Sequence, residues 1–203
     1  MFDKSIMRFH DPLDDILGSG VQVRVLRLLT RTESRGFTGR DLARMCASST
    51  SQTIAALQKL EETGLVTRDI AGRSHVWHLV GRHALVPMLK SLFREEAGSM
   101  SALKAEVQGL IRELPVRRAM LFGSVARGDE GPTSDIDLMV TVRSSADKER
   151  VEESVSAASL RFAIRFGNPL STLVLEESHL RSPTNPTLLS NIRRDGVELE
   201  TGA

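Results

Sequence analysis

The feature that most restricts the fold of this 203-residue chain is a tight turn followed, ten residues later, by two aspartates on an apolar strand. A strand is predicted over residues 116–122 and a second over residues 135–142, with a glycine–serine turn after the first. Side chains alternate between the two faces of a strand, so Asp135 and Asp137 share one face and the apolar residues form a buried row on the other. The pattern therefore predicts a paired-carboxylate site at the start of a buried strand.

This arrangement suits a divalent metal ion and a phosphate. Two carboxylates that face the same way repel each other, and a cation between them removes that cost. Residues two apart on a strand are about 6.5–7 Å apart, which lets their carboxylates converge on divalent ions. A glycine lets the backbone approach a phosphate, a serine adds a hydroxyl donor, and an arginine neutralises phosphate or pairs with an acid. The candidate residues are Gly123, Ser124, Arg127 and Ser134 for the phosphates, and Asp135 and Asp137 for metal binding and catalysis.

The segment of residues 123–138 closely resembles the signature of the DNA polymerase beta-like nucleotidyltransferase superfamily, especially its small, minimal members. The resemblance extends over residues 115 to about 200. It implies that Asp135 and Asp137 ligate Mg²⁺ or Mn²⁺ and that Ser124 holds the terminal phosphates of a nucleoside triphosphate (NTP). It also implies transfer of a nucleoside monophosphate to a hydroxyl with release of pyrophosphate, catalysed mainly by positioning and charge neutralisation.

The match to active members of that superfamily is incomplete at one position. Those members usually carry a third carboxylate on a later strand, but the matching segment here, residues 169–175, contains hydroxyls and no acid. Glu176 and Glu177 follow at the end of this segment. Asp129 or Glu130, in the loop before the second strand, could supply the third carboxylate instead. The sequence therefore leaves two functions open, a metal-dependent nucleotidyltransferase and a transcriptional regulator whose degenerate nucleotidyltransferase domain senses nucleotide.

The N-terminal part of the chain predicts three helices followed by a hairpin. A buried helix is predicted over residues 21–29, a short helix capped by Thr38 extends through Cys46, and a third helix ends at Gly64. Two strands joined by a glycine turn follow within residues 65–80. This is the order of elements in a winged helix-turn-helix.

Residues 38–44 and 57–66 resemble the helix-turn-helix of bacterial and archaeal winged-helix regulators. In such folds the second helix of the pair enters the major groove of DNA by its polar N-terminal end, and the wing contacts the backbone or minor groove. The alternative is a winged helix that docks proteins. The candidate DNA-binding residues are Ser49, Ser51 and Gln52 on the helix, and Arg68 and Arg73 on the wing.

The charge distribution agrees with DNA as a partner of the first half alone. The formal net charge is only +1, yet residues 21–82 carry ten basic and five acidic side chains, and residues 115–203 carry eleven basic and thirteen acidic ones. A basic region beside a slightly acidic one is expected when only the first meets phosphates.

The chain is therefore predicted to be α+β, with an N-terminal winged helix-turn-helix, a connecting helix, and a C-terminal polymerase-beta-like mixed sheet with flanking helices. The predicted domains are residues 1–82, 83–114 and 115–203. The connecting helix is expected in two parts because Gly98 and Gly109 interrupt it. Its apolar stripe could pack on the wing, on the following domain or on a second copy, and the last of these would give a homodimer. Pro115 ends it.

Several classes of protein are disfavoured by composition. No stretch approaches the roughly 18 apolar residues of a transmembrane helix, and the first ten residues lack the features of a secretory signal. The single cysteine, Cys46, cannot form an internal disulfide. We therefore expect a cytoplasmic protein without a membrane partner.

Overall fold

The computed structural model describes residues 20–32, 35–72, 74–130, 134–180 and 185–201. Within these ranges the chain divides into two compact units, an N-terminal unit that ends at Gly98 and a C-terminal unit that begins at Ser99. None of the helices in the described ranges combines the length and the apolar character needed to cross a bilayer.

The N-terminal unit has the predicted winged helix-turn-helix fold. Its three strands form a sheet in the order β1-β3-β2, in which both pairs are antiparallel. In chain order its elements are α1 (Gly20–Arg31), β1 (Phe37–Thr38), α2 (Gly39–Met45), α3 (Thr50–Glu62), β2 (Val66–Ala71), β3 (Ser74–Leu79) and the first part of α4 (Val86–Ile111).

Hydroxyl caps explain where the two helices of the helix-turn-helix begin. The Thr38 side chain accepts a hydrogen bond from the Asp41 amide at 3.2 Å, and the Ser49 side chain accepts one from the Gln52 amide at the same distance. Each cap satisfies an amide that has no partner inside the helix. The turn after α3 contains Gly64 with φ of 75°, as its predicted left-handed position requires.

Trp77 lies at the centre of the N-terminal core and is 1% exposed. The core combines apolar residues from α1, α2, α3, the hairpin and the first part of α4. Its members are all below one-tenth exposed: Val23, Val25, Leu26, Leu29, Phe37, Leu42, Cys46, Leu57, Leu60, Leu65, Val66, Trp77, Leu79, Val86 and Phe93.

The C-terminal unit is built on a four-stranded mixed sheet in the order β6-β5-β4-β7. Strands β5 and β6 are parallel, because a helix crosses between them, and the other pairs are antiparallel. After the last part of α4, its elements are β4 (Arg118–Phe122), α5 (Gly123–Arg127), β5 (Ile136–Val142), α6 (Ser145–Phe166), β6 (Leu170–Glu176), a 3₁₀ helix (Glu177–Leu180), α7 (Pro186–Asp195) and β7 (Val197–Leu199).

The two faces of this sheet are covered differently. One face carries the predicted apolar row of β5 (Ile136, Leu138, Val140 and Val142), fully buried in a large core shared with α6 and the end of α4. The other face carries Met139, which packs with Leu189 and Ile192 of α7 in a smaller cluster. Asp137 lies on this second face, because strand residues two apart point the same way.

The expectation of a connecting helix in two parts is wrong, because α4 is one helix of 26 residues. Gly98 and Gly109 both lie inside it, and neither has a heavy atom near the position of an added Cβ. A glycine inside a helix costs only about 1 kcal/mol relative to alanine. Burial of Val86 and Phe93 in one core, and of Leu103, Val107 and Ile111 in the other, offsets that cost.

Candidate functional site

The glycine–serine turn lies directly against one of the two aspartates. Strand β4 ends at Phe122, which pairs with Asp137 across the antiparallel ladder, and the chain turns at the next residue, Gly123. Gly123 has φ of 76°, and a Cβ added to it would clash with Oδ2 of Asp137. Only glycine therefore fits this position, both because its backbone is left-handed and because the carboxylate occupies the space of a side chain.

The two aspartates interact electrostatically. Asp137 is half-buried and Asp135 is exposed just before the start of β5. The pKa of Asp137 is raised, first by burial and second by the neighbouring charge of Asp135, while Arg127 opposes the shift. A carboxylate with a raised pKa is destabilised in its charged form, and a cation at this place would relieve it.

Helix α5, which follows the turn, positions the basic member of the predicted set. The Nε atom of Arg127 donates to Oδ2 of Asp129 at 3.1 Å, so Arg127 pairs with an acid, one of the two roles predicted for it. Gly128 ends the helix in the left-handed conformation, and the carbonyl of Ser124 accepts a hydrogen bond from the Asp129 amide at 3.1 Å. Ser124 itself is half-buried at the start of α5.

The residues predicted to contact DNA lie at the N-terminal end of α3 and on the wing. Ser49 caps α3, and its hydroxyl also donates to the Gln52 side chain at 3.0 Å. Ser51 and Gln52 are exposed in the first turn. Arg68 on β2 pairs with Glu61 at 3.2 Å and lies 5.5 Å above the Trp77 ring. Arg73 lies outside the described residues.

Residues 103–194 match the family model of the nucleotidyltransferase domain. This segment contains the glycine–serine turn, both aspartates and strands β4, β5 and β6. The C-terminal unit is a nucleotidyltransferase domain. Comparison with curated proteins gives no match.

Solved structures similar to the chain include three bacterial regulators. MepR, a transcription regulator of the Staphylococcus aureus multidrug efflux pump MepA, is 19% identical with a TM-score of 0.38, over 46% of this chain and 71% of that chain. ZitR, a zinc-responsive MarR family member from Lactococcus lactis, is 21% identical with a TM-score of 0.35, over 42% and 60%. A MarR family transcriptional regulator from Silicibacter pomeroyi is 22% identical with a TM-score of 0.36, over 49% and 75%. Similarity at this level supports no functional conclusion.

The register of the nucleotidyltransferase sheet fixes what lies beside the aspartates. Ser171 of β6 is the direct neighbour of Asp137, and the one acid of that strand, Glu176, is level with Val142. Glu176 therefore lies five residues beyond Ser171 along β6, which is a distance of roughly 16 Å. Among the described residues, no group of three or more His, Cys, Asp or Glu side chains is arranged to hold a metal ion.

Of the two loop acids, Asp129 is the exposed partner of Arg127, whereas Glu130 is 6% exposed. Residues 131–133, which follow Glu130, lie outside the described ranges.

A residue not predicted from the sequence, Asn168, supports the start of β5 in the nucleotidyltransferase domain. Its side chain is fully buried, and Nδ2 donates to the carbonyl oxygen of Ser134 at 2.7 Å. The next peptide continues the link, because the Ile136 amide donates to the Pro169 carbonyl at 2.9 Å. These two bonds flank Asp135 and fix the chain on both sides of it. The segment before Pro169 has the sequence of an ordinary helix end, so nothing in it indicated this role.

We expect Asn168→Ala to lower the free energy of unfolding by about 1–3 kcal/mol, since the partly buried Ser134 carbonyl loses its donor. It should also weaken binding of a magnesium–nucleotide complex, because the backbone around Asp135 loses one of the two bonds that fix it. Ser159→Ala is the matched control, as it removes a single side-chain hydrogen bond to the Leu170 carbonyl at the start of β6. Denaturant unfolding and nucleotide titration of both variants check this. Equal nucleotide affinity in the two variants would refute a positioning role for Asn168.

Proposed function

We propose that the nucleotidyltransferase domain binds an NTP with a divalent metal ion and transfers its nucleoside monophosphate to a hydroxyl acceptor. One observation carries the proposal: the Asp137 carboxylate lies against Gly123 and beside Asp135, in the segment that matches the family. A phosphate-binding turn and paired carboxylates at one point are what this reaction needs.

The residues present fit one Mg²⁺ ion. Magnesium usually keeps several waters and binds through one or two carboxylates together with substrate phosphates. Asp135 and Asp137 would hold it, and burial together with the charge of Asp135 raises the pKa of Asp137, a cost that a bound cation would offset. When bound, the ion would neutralise charge on the phosphates and orient them.

The chain's own groups have distinct roles in this proposal. Gly123 has no side chain, which leaves room for the Asp137 carboxylate against the turn, and the Ser124 hydroxyl donates to the phosphate oxygens. Arg127 offsets negative charge from its position beside Asp129 and near Asp137. Ser134 contributes its hydroxyl at the start of the strand, where its carbonyl is fixed by Asn168.

Transfer can be tested with each NTP labelled at the α-phosphate, in Mg²⁺ or Mn²⁺, with nucleic acid and protein acceptors. We expect labelled product from the wild type and a loss on the order of 100-fold or more with Asp135→Ala, since this removes half of the metal-binding pair. The control is Glu153→Gln, on the exposed face of α6. An identical absence of product from the wild type and Asp135→Ala would contradict the transfer proposal.

The second candidate is a regulator that binds nucleotide without transferring it. The observation that favours it is the register of β6, which puts Ser171 beside Asp137 and leaves Glu176 five residues away. A hydroxyl cannot act as a general base for the acceptor as a carboxylate does. Nucleotide binding that depends on Asp137, alters DNA affinity and yields no labelled product would select this candidate.

For the N-terminal unit we propose DNA binding through the first turn of α3 and the wing. This is supported by exposed hydrogen-bonding side chains at Ser51 and Gln52, at the end of the helix that enters the major groove in winged helices. Only part of the excess of basic residues is available for DNA, because Arg27 is buried against Glu96 and Arg68 is paired with Glu61. Homodimer formation, common among helix-turn-helix proteins on DNA, belongs to this proposal, and sedimentation velocity tests it.

We expect Ser51→Glu to weaken DNA binding by at least about tenfold, because it puts a negative charge where the helix meets phosphates. Fluorescence anisotropy with DNA from the upstream region of its own coding sequence, measured over a range of salt concentrations, would record this. Ser156→Glu adds the same charge on the exposed face of α6 and should have little effect. If the two variants bind DNA equally well, α3 is not the DNA-contacting helix.

A further inference from the structure

The nucleotidyltransferase domain has an apolar pocket of about 300 Å³ between β6 and α7. Its apolar wall comes from two leucines and Val174 of β6 and from two leucines of α7. Lys148 at the start of α6, His179 of the 3₁₀ helix and Asn185 at the cap of α7 add polar groups to the lining. The four leucines are Leu173, Leu175, Leu188 and Leu189.

The pocket lies on the same face of the sheet as Asp137. Parallel pairing puts Ser171 beside Asp137, Leu173 beside Met139 and Leu175 beside Thr141. The two pocket leucines are therefore two and four residues farther along the sheet than Asp137, or roughly 7–13 Å. Leu173 and Leu175 pack against the cluster of Met139, Leu189 and Ile192 on that face, which confirms their orientation.

The chemistry of the lining selects a flat, mainly apolar group. Phosphate oxygens would lose hydration against the leucines without enough donors to replace it. An aromatic base can bury its two faces between aliphatic side chains and direct its polar edge toward the rim. At the rim, Lys148 is part of an exposed pair with Glu152 at 3.8 Å, and His179 is also exposed, so both can adjust to a bound base.

We propose that this pocket receives the base of the NTP whose phosphates bind at Gly123, Asp135 and Asp137. The inference rests on the proposed nucleotide function and adds to it a base-binding subsite. A single extended nucleotide then runs along one face of the sheet, with its phosphates at the N-terminal end of β5 and its base beside Leu173 and Leu175.

The test compares inorganic tripolyphosphate with each common ribonucleoside triphosphate, all with Mg²⁺, by calorimetric titration of the full chain. We expect at least one NTP to bind on the order of tenfold more tightly than tripolyphosphate, because the base removes apolar surface from water. Leu188→Phe, which narrows the pocket, should reduce NTP affinity to that of tripolyphosphate and leave tripolyphosphate affinity unchanged. His179→Ala changes an exposed side chain and keeps the core intact. It should also reduce NTP affinity relative to tripolyphosphate affinity.

The outcomes separate this inference from the function on which it rests. If neither tripolyphosphate nor any NTP binds, the nucleotide function fails and the base subsite fails with it. If the wild type binds tripolyphosphate as tightly as every NTP, the phosphate site stands and the base pocket is refuted. An unchanged preference for the base in both Leu188→Phe and His179→Ala would also refute it. Leu160→Phe on the exposed face of α6 controls for added aromatic bulk.

Discussion

Asp137→Asn is expected to weaken binding of magnesium–nucleotide by about 100-fold or more, while making the metal-free protein more stable. Loss of a supporting residue around a metal site already costs roughly 10- to 100-fold, and Asp137 is a direct ligand in our proposal. The gain in stability has a separate origin. Asp137 is half-buried beside Asp135, and asparagine at this position removes both the desolvation of a charge and the repulsion.

The dependence on pH gives the sign of this stability effect. The pKa of Asp137 is raised above 3.8 in the folded state, so the folded protein binds its proton more tightly than the unfolded chain does. Stability from this group is therefore present below pH 3.8 and is lost as the pH rises through the folded-state pKa. At neutral pH the wild type no longer has this contribution to its stability, because Asp137 is charged. Asparagine carries no charge at any pH, so Asp137→Asn does not lose stability in this way.

Thermal unfolding followed by circular dichroism, with and without Mg²⁺ and nucleotide, checks both parts. Without ligand the variant should melt at a higher temperature than the wild type at pH 7, and the difference should diminish toward pH 4. With ligand the order should reverse, since only the wild type gains binding energy. A variant less stable than the wild type at neutral pH would show that Asp137 contributes to the apo fold, contrary to the electrostatics. The control Glu153→Gln should leave the melting temperature unchanged at each pH, both with and without ligand.

Local patterns were sufficient to predict the strands and turn that carry the candidate site. The alternation from Ile136 to Val142 fixes which side chains of β5 enter the larger core, and this depends only on neighbouring residues in the chain. The glycine of the turn is likewise a local signal, although its full reason is the Asp137 carboxylate that occupies the space of a Cβ. The helix cap at Thr38 is also local, which explains why the start of α2 was predicted correctly.

Contacts between distant segments could not be predicted in this way. The pairing of Asp137 with Ser171 depends on how β6 returns after helix α6, and a shift of one residue would have brought a different side chain to the site. The bond from Asn168 to Ser134 spans 34 residues and has no signature in either segment. Arg68 shows the same limit, because Glu61 and Trp77 become its partners only when the hairpin packs on α3.

Glu96→Ala should destabilise the N-terminal unit by about 3–5 kcal/mol, the typical effect of removing one member of a buried ion pair. Arg27 and Glu96 are 5% and 7% exposed, and two hydrogen bonds of 2.6 and 2.8 Å join α1 to α4 through them. The guanidinium also lies 5.5 Å from the centre of the Phe93 ring, so its charge stays in an apolar region after the carboxylate is removed.

The chain's single tryptophan, Trp77, lies in the same core, so urea unfolding followed by its fluorescence reports on this unit alone. The double variant Arg27→Met/Glu96→Leu should recover most of the loss, because replacement of a buried pair by apolar side chains is often neutral or stabilising. Arg44→Ala, which removes an exposed pair at 3.2 Å, is the control and should change little. If Glu96→Ala unfolds at the same urea concentration as this control, the buried pair is not what holds α4 to the winged helix.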